Sequence, residues 1–207
     1  MARPVSIDRE GIVATARGMF FAKGIAATEM KDIAAACGIG RSSLYRYFES
    51  KESIAFEVAG DVLKWMGEYL NTRVTDEGNG YQRLAASLTA FVAALKENTD
   101  KVRFLDDFDC YFTDSYPDIQ TAVAYSEMIK NRYIGFVDIL EQGARDGSLV
   151  LRQDAQFTCL YMVNLLLGVA ERILPRAGII RQEQGYAEEY LDAALALLLD
   201  SVRVQET

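Results

Sequence analysis

The fold is decided by residues 24–53, which read GIAATEMKDIAAACGIGRSSLYRYFESKES. The pattern predicts two short helices, one from Thr28 and one over about 40–47, separated by Gly38. Two helices cross closely only where small residues meet and where the turn accepts a left-handed backbone, and Ala34 and Gly38 meet these needs. The stretch therefore predicts a helix-turn-helix whose second, short helix presents polar side chains.

The sequence on both sides continues the helical pattern. A first helix is expected to follow Ser6 as N-cap and to end at Gly24, and a long fourth helix to run from Ser50 to about Arg73. The alternation of apolar and polar residues that marks strands is almost absent. Further helices are predicted at about 81–97, 100–113, 117–145, 154–174 and 185–203. We expect an all-α fold of about nine helices, in which a three-helix head joins a helical body through the fourth helix.

Charge is distributed unevenly along the chain. The formal net charge is −8, but residues 1–51 hold eight basic and five acidic residues, so this segment carries +3 and the remainder −11. A basic head on an acidic body favours contact of the head with the phosphates of DNA. The sequence accordingly predicts a DNA-binding domain over residues 1–50 and a second domain over residues 51–207.

Composition disfavours several other kinds of site. The chain has no histidine, and its cysteines at positions 37, 110 and 159 lie far apart, so disulfides, a metal site and a histidine-dependent catalytic centre are not expected. Residues 1–7 lack the apolar core of a signal peptide, and the longest apolar run, residues 157–170, is too short to cross a bilayer. We therefore expect a cytoplasmic protein without a membrane segment or cofactor, and not an enzyme.

Ten positions of the opening stretch match the pattern of one protein family. Its members carry Gly…Thr…Ile-Ala…Gly…Leu-Tyr-x-Tyr-Phe-x-x-Lys, which is matched here by Gly24, Thr28, Ile33, Ala34, Gly38, Leu44, Tyr45, Tyr47, Phe48 and Lys51. On these residues the chain resembles the TetR family of bacterial repressors over about its first quarter. The resemblance implies a repressor that binds a palindromic DNA operator as a homodimer. Family members often have Ser, Gly and His where this chain has Gly40, Ser42 and Arg46, so a relative's operator sequence does not transfer.

The resemblance also assigns roles within the helix-turn-helix. It implies that Thr28, Tyr47 and Lys51 contact phosphates, which suits a helix N-terminus and a lysine. Arginine binds guanine through two hydrogen bonds. The candidates for contact with base edges or nearby backbone are Arg41, Ser42, Ser43, Tyr45 and Arg46. Three alternatives stay open: Thr28 as a simple N-cap, Tyr45 as a core residue and Arg46 as a solvated charge.

An aromatic-rich region of the body suggests an effector site. Small-molecule pockets are mostly apolar with a few well-placed polar groups. The residues predicted to line such a pocket are Phe104, Phe108, Tyr111, Phe112, Tyr125, Tyr133 and Asn164. For any single aromatic residue an ordinary core position is the alternative, and the side-chain amide of Asn164 could pair with a ligand, a facing helix or water. The expected effector is small and apolar or aromatic.

Two helices near the C-terminus carry apolar stripes broader than one core requires. The residues assigned to a dimer interface are Leu160, Val163, Leu167, Gly168, Leu191, Leu195 and Leu198. A two-fold dimer would present two heads to half-sites about one turn of DNA apart, or a multiple of it. The family resemblance implies a four-helix bundle between protomers at this place.

The sequence also leads to an expectation about regulation and leaves two rival functions open. Effector binding is expected to tilt the fourth helix, so that the separation of the two heads no longer matches the operator. One rival is a helical ligand-binding adaptor that no longer binds DNA. The other is an enzyme built on residues 106–109, although this acidic run is better explained as a solvated helix face.

Overall fold

The computed structural model describes residues 7–74 and 77–204. Over these ranges the chain forms eleven α-helices and no β-strand, which confirms the predicted all-α fold. The helices are α1 Arg9–Lys23, α2 Met30–Ala36, α3 Arg41–Leu44, α4 Lys51–Asn71, α5 Gly80–Glu97, α6 Thr99–Tyr111, α7 Gln120–Asn131, α8 Ile134–Asp146, α9 Ala155–Ile173, α10 Ala177–Gln184 and α11 Glu189–Val202. A 3-10 turn, Leu174–Arg176, connects α9 with α10.

Two differences from the predicted helices have local causes. The predicted segment 117–145 is divided into α7 and α8 because the backbone at Tyr133 leaves the helical conformation, with φ −108° and ψ 8°. The two residues of the break, Arg132 and Tyr133, are neither proline nor glycine, and Gly135 lies inside α8. The segment around Pro175 and Gly178 was expected to separate two helices, but it forms the 3-10 turn and α10 instead.

The chain divides into two compact units: Met1–Leu63 with Arg103–Met128, and Lys64–Val102 with Ile129–Thr207. Along the chain, α4, α6 and α7 each cross from one unit to the other. The domain boundary predicted between residues 50 and 51 stays a prediction.

The first unit contains the helix-turn-helix. Its first helix begins at Arg9 with Asp8 as N-cap, whose Oδ1 accepts a hydrogen bond from the Gly11 N–H at 2.9 Å. Ser6, the predicted cap, lies outside the described residues. The turn between α2 and α3 places Gly38 at φ +66°, in the left-handed region that glycine favours, as the sequence predicts. The apolar residues buried in α1 to α3 and the turn that follows include Ile12, Ala16, Phe20, Ile33, Leu44 and Phe48.

The second unit is built on four mutually packed helices. Helix α5 packs against α8 and α11, and α9 packs against the same two helices. Close approach of α5 and α8 requires glycine at position 80, because a Cβ there would overlap the backbone of Gly143, whereas a Cβ at Gly143 would overlap the Leu149 side chain. The core of this unit includes Leu88, Phe91, Val102, Leu140, Met162, Leu166, Leu191 and Leu198.

The run Ala155–Gln184 contains a stretch that is long and apolar enough to cross a membrane by composition alone. Core helices of soluble proteins meet the same criterion. Here 44% of that stretch is buried, and the buried residues of α9 include Cys159, Met162 and Leu166. The apolar character of this stretch is therefore explained by core packing and by an apolar face that is exposed to solvent.

Candidate nucleic-acid interface

Helix α3 and the turn after it form a short platform. Its backbone hydrogen bonds continue past Leu44, since Phe48 N–H donates to the Leu44 carbonyl at 3.1 Å. Leu44 and Phe48 are 0% and 2% exposed, so these two side chains anchor the platform in the core. The exposed side chains of the platform are Arg41, Ser42, Tyr45, Arg46 and Tyr47, with Ser43 half-buried among them. Tyr45 therefore does not take the core position that was its alternative.

A groove lies on one side of this platform. It has a volume of about 360 Å³ and is lined by residues of α2, α3 and the start of α4, among them Lys31, Arg41, Tyr45 and Lys51. Lys31 is paired with Glu29 at 2.8 Å, whereas the Arg41 carbonyl accepts from Tyr45 N–H and the Arg41 side chain makes no hydrogen bond or ion pair within the described part of the chain. The free guanidinium of Arg41 can therefore bind a phosphate or a base edge without first breaking a contact.

A second groove lies on the other side. It has a volume of about 330 Å³, and its lining includes Arg9, Arg46 and Tyr47. The Arg9 guanidinium already has partners within the protein, because it donates to the Tyr47 carbonyl at 2.6 Å and forms an ion pair with Glu57. The Arg46 guanidinium has only a long hydrogen bond of 3.3 Å to the hydroxyl of Ser43. Arg46 is thus exposed and weakly held, which leaves it available for a ligand.

Thr28 occupies a different position from the predicted one. The N-cap residue of α2 is Glu29, and Thr28 is completely buried. Its hydroxyl donates to the Gly24 carbonyl at 2.8 Å, and its N–H donates to the Ile25 carbonyl at 3.2 Å. Both donors of Thr28 are therefore used within the turn, and we do not include this residue in the proposed DNA-contacting surface.

Lys51 has intramolecular partners that the sequence did not reveal. Its ammonium group donates to the carbonyls of Ile25 and Ala26, with Nζ–O distances of 2.7 and 3.5 Å. The same group lies 5.1 Å from the centre of the Tyr111 ring. Lys51 therefore ties the start of α4 to the turn after α1. Because it also lines the first groove, the predicted phosphate contact stays a prediction.

The residues predicted to bind an effector are divided between the two units, with Tyr133 and Asn164 in the second and the others in the first. Those in the first unit pack on one another and on Phe56, whose ring centre lies 5.1 Å from that of Phe108 and 5.6 Å from that of Tyr125. Three of the predicted side chains are almost fully buried: Phe104, Phe108 and Tyr125. The members of this aromatic cluster are Phe56, Phe108, Phe112, Tyr116 and Tyr125. The prediction of an effector role for these residues stays untested, and their packing is that of a core.

Tyr133 belongs to the second unit and lies beside two polar groups. The Arg132 guanidinium carbon is 4.3 Å from the centre of its ring. Burial raises the pKa of the Tyr133 phenol to about 12 and that of the Cys159 thiol to about 11. The Nε of Arg132 is buried without a hydrogen-bond partner. Of these groups only Tyr133 belongs to the predicted effector set, and the unsatisfied buried donor beside it, Arg132 Nε, was not predicted.

The helix pair predicted to form a dimer interface has an exposed apolar face. Of the predicted interface residues, Val163, Leu191 and Leu198 are buried in the second unit's own core. Leu160, Leu167 and Leu195 are half-buried, and Gly168 is exposed. The large apolar residues with exposed fractions above half on these helices are Phe157, Leu165 and Leu197. Helical periodicity shows that these helices carry more apolar residues than one buried face requires, but it does not show which face packs in the core. These three residues were therefore not predicted.

Asn164 lies on this exposed face rather than in the core. Its side-chain N–H donates to the Leu160 carbonyl one turn earlier, at 2.8 Å. It shares a groove of about 690 Å³ with apolar residues of α9, α10 and α11, including Leu165, Gly168, Ile180 and Leu197. The amide that seemed to require a buried partner is therefore satisfied within its own helix.

The head matches a known family of regulators. Residues 12–58 match the family model described as bacterial regulatory proteins, tetR family. The head of the chain therefore contains the DNA-binding domain of the TetR family. It is 27% identical over 195 residues to the transcriptional repressor KstR2 of Mycolicibacterium smegmatis, covering 93% of this chain and 91% of that protein. TetR-family proteins are transcriptional regulators, and this chain is therefore one as well.

Solved TetR-family structures share the fold along almost the whole chain. The structure of the ketosteroid transcriptional regulator KstR2 of Mycobacterium tuberculosis aligns with a TM-score of 0.66 at 22% identity, covering 97% of both chains. A tetR-family regulatory protein from Rhodococcus RHA1 aligns with a TM-score of 0.73 at 20% identity, covering 96% of this chain and 98% of that one. At these identities the likeness concerns the fold.

Proposed function

We propose that this TetR-family regulator is a repressor that binds a palindromic operator as a homodimer and is released by a small apolar effector. The observation that carries the proposal is the exposed polar platform of α3, which is held by two core residues and flanked by two grooves with basic side chains. A short helix with exposed arginines suits the major groove, where its side chains reach base edges. Relatives over most of the chain are named repressors, which supports the direction of regulation.

The exposed apolar face of α9 and α11 supports the homodimer. Leu197 is 72% exposed, and Phe157 and Leu165 are each 54% exposed. Contiguous apolar surface of this kind is costly in water and marks an interface. A second copy of the same face is the occupant we propose, because a two-fold dimer places identical surfaces against each other and orients two heads toward one operator.

The effector proposal rests on Arg132 and Tyr133. A buried N–H without an acceptor is unfavourable, so a ligand carbonyl or hydroxyl that accepts from Arg132 Nε would be stabilised there. The KstR2 relative with a known structure is described as a ketosteroid regulator, which makes ketosteroids the first compounds to test. With androstenedione as the probe, we expect a rise in melting temperature for the wild type and a smaller rise for Arg132→Met. An equal rise in both proteins would remove Arg132 from the effector site.

The direct test of DNA binding starts from a random library of duplexes, from which the wild-type protein selects its own sequence. Arg41→Ala and Arg46→Ala are then compared on the selected duplex. We expect each to weaken binding by about tenfold or more and to relax the preference at particular base pairs, because a bidentate contact contributes on the order of 1–3 kcal/mol. Arg17→Ala, at an exposed position of α1 outside both grooves, is the matched control.

The outcomes separate the proposed function from its rival. Selection of a two-fold symmetric sequence, with losses in Arg41→Ala and Arg46→Ala but not in Arg17→Ala, supports the repressor. Enrichment of no sequence by the wild-type protein would favour a helical ligand-binding adaptor. The proposed role requires no catalytic step or cofactor, and it places the protein in the cytoplasm with its DNA.

A further inference from the structure

One face of α6 is directed at the DNA-binding head. Phe104, Asp107, Phe108 and Tyr111 occupy positions i, i+3, i+4 and i+7, so they share one side of the helix. The Phe104 ring lies 5.3 Å from that of Phe21 in α1, measured between ring centres. The face therefore packs along the head, although its aromatic residues suggested an effector pocket and its aspartate a solvated surface.

Asp107 contacts the turn that links α1 to α2. Its Oδ2 accepts a hydrogen bond from the Ile25 N–H at an N–O distance of 2.7 Å. Its Oδ1 would lie 3.0 Å from a Cβ at Gly24, so the carboxylate is seated directly on the turn. Ile25 is completely buried, and its N–H would have no water to bind in the absence of this carboxylate.

The same turn is held by two further side chains. The Thr28 hydroxyl donates to the Gly24 carbonyl, and the Lys51 ammonium donates to the Ile25 carbonyl. These contacts come from the head itself, whereas Asp107 is 82 residues away in sequence from Ile25. The turn immediately precedes α2, the first helix of the helix-turn-helix, so its position sets where α2 and α3 begin.

Tyr111 adds a second contact one turn further along α6. Its hydroxyl donates to Glu52 Oε1 at 2.7 Å, in the first turn of α4. Thus α6 contacts the head at the beginning of the helix-turn-helix and again just after it. The N-terminal end of α6 belongs to the second unit, where Val102 is part of the core.

We infer that Asp107 is a positioning residue for DNA binding: it fixes the turn before the helix-turn-helix and thereby orients α3 without touching DNA. The inference rests on the proposed DNA-binding function. Loss of the carboxylate leaves the Ile25 N–H unsatisfied and frees the turn, so the recognition helix samples orientations that do not fit the operator. The acceptor oxygen, rather than the negative charge, is the essential property.

The test compares Asp107→Leu, which has no acceptor, with Asp107→Asn, which keeps one. The neighbouring Asp106→Leu is the matched control, because it makes the same change one residue away on α6. Affinity is measured on the duplex selected by the wild-type protein, below the melting temperature of every variant. Amide hydrogen exchange at Ile25 is followed by NMR in the same proteins. Asp107→Ala replaces the leucine variant if that protein does not fold.

We expect Asp107→Leu to weaken binding by about tenfold with an unchanged salt dependence, because the loss of one buried hydrogen bond is of that order and no phosphate contact is removed. Asp107→Asn should bind as the wild type does and keep Ile25 protected from exchange. The inference would be overturned if Asp107→Leu bound the duplex with wild-type affinity although its Ile25 amide exchanged fast. It would also be overturned if the leucine and asparagine variants lost equal amounts of DNA affinity. If the wild-type protein selects no duplex, the proposed function fails, and this inference with it.

Discussion

Lys51 shows how one side chain serves the structure at a position assigned to DNA contact. Its ammonium group caps carbonyl groups at the end of the turn after α1, and its aliphatic part lies in the half-buried start of α4. A charged donor in a partly buried hydrogen bond stabilises more than a neutral one. In this chain Lys51 therefore has a structural role that is visible without DNA.

For Lys51→Met we expect the free energy of unfolding to fall by about 1–3 kcal/mol, because two carbonyl groups lose their donor while the apolar part of the side chain is kept. Urea denaturation followed by circular dichroism measures the change. Lys96→Met is the control, since Lys96 forms a surface ion pair with Asp192 at 2.6 Å and such pairs contribute little. Equal losses in the two variants would contradict the structural role of Lys51.

Tyr111 and Glu52 provide a second prediction at the scale of residues. Burial and the hydrogen bond to Glu52 raise the pKa of Tyr111 to about 12. Partial burial alone would raise the pKa of Glu52, but the hydrogen bond from Tyr111 helps to bring it below its usual value. The folded state thus favours the neutral Tyr111 phenol. The stability that this phenol contributes is complete below pH 10 and is lost as the pH rises from about 10 to about 12.

We therefore expect the free energy of unfolding of the wild type to decrease with pH more steeply than that of Tyr111→Phe between pH 10 and about 12. Chemical denaturation at a series of pH values gives the two slopes. Tyr133, whose pKa is also raised to about 12, remains in the variant and leaves a residual slope. Parallel pH profiles for the wild type and Tyr111→Phe would show that the Tyr111 phenol ionises normally in the folded protein.

At the scale of elements, the start of α1 depends on its cap. Asp8 satisfies a backbone N–H in the first turn of the helix, whereas Glu10, in the same turn, provides no cap. We expect Asp8→Ala to destabilise the protein by about 1 kcal/mol and Glu10→Ala to change stability by only a few tenths of that. Thermal and chemical denaturation of the two variants compare them directly, and a similar loss for both would argue against capping by Asp8.

The helices of the head were predictable because their signals are local. Gly38 requires a left-handed backbone and adopts it, and Leu44 and Phe48 are buried as their spacing indicates. The break at Tyr133 was not predicted, since the two residues at which the helix is interrupted, Arg132 and Tyr133, are neither proline nor glycine. Helix α10 was missed for the same kind of reason: Pro175 marks a boundary, but tertiary packing allows the chain to resume a helix at once.

The site was predictable in part. The exposed positions of Arg41, Ser42 and Arg46 follow from the burial of Leu44 and Phe48 in the same platform of α3 and the turn after it. The contact of Asp107 with Ile25 could not be predicted, because it joins α6 to a turn 82 residues away, and the sequence does not orient the two relative to each other. Likewise, helical periodicity identified α9 and α11 as apolar on more than one side but could not tell the core stripe from the exposed one.

At the scale of the whole molecule, the exposed apolar face predicts the oligomeric state. We expect the wild-type protein to be a dimer and Leu197→Glu to be a monomer, because a buried unpaired carboxylate at the centre of the face is strongly unfavourable. Val123→Glu is the control, since Val123 is also more than half exposed but lies on α7. Sedimentation velocity distinguishes the states. A dimeric Leu197→Glu protein would place the interface elsewhere.

The central claim, that the α3 platform recognises a specific DNA sequence, is tested most directly by fluorescence anisotropy. The wild-type protein is titrated against the duplex it selects and against a scrambled duplex of the same composition, at several salt concentrations. We predict that the selected duplex binds at least about a thousandfold more tightly at physiological salt, with two protomers per duplex and an affinity that falls linearly with salt on logarithmic axes. Equal affinity for the two duplexes would contradict the claim.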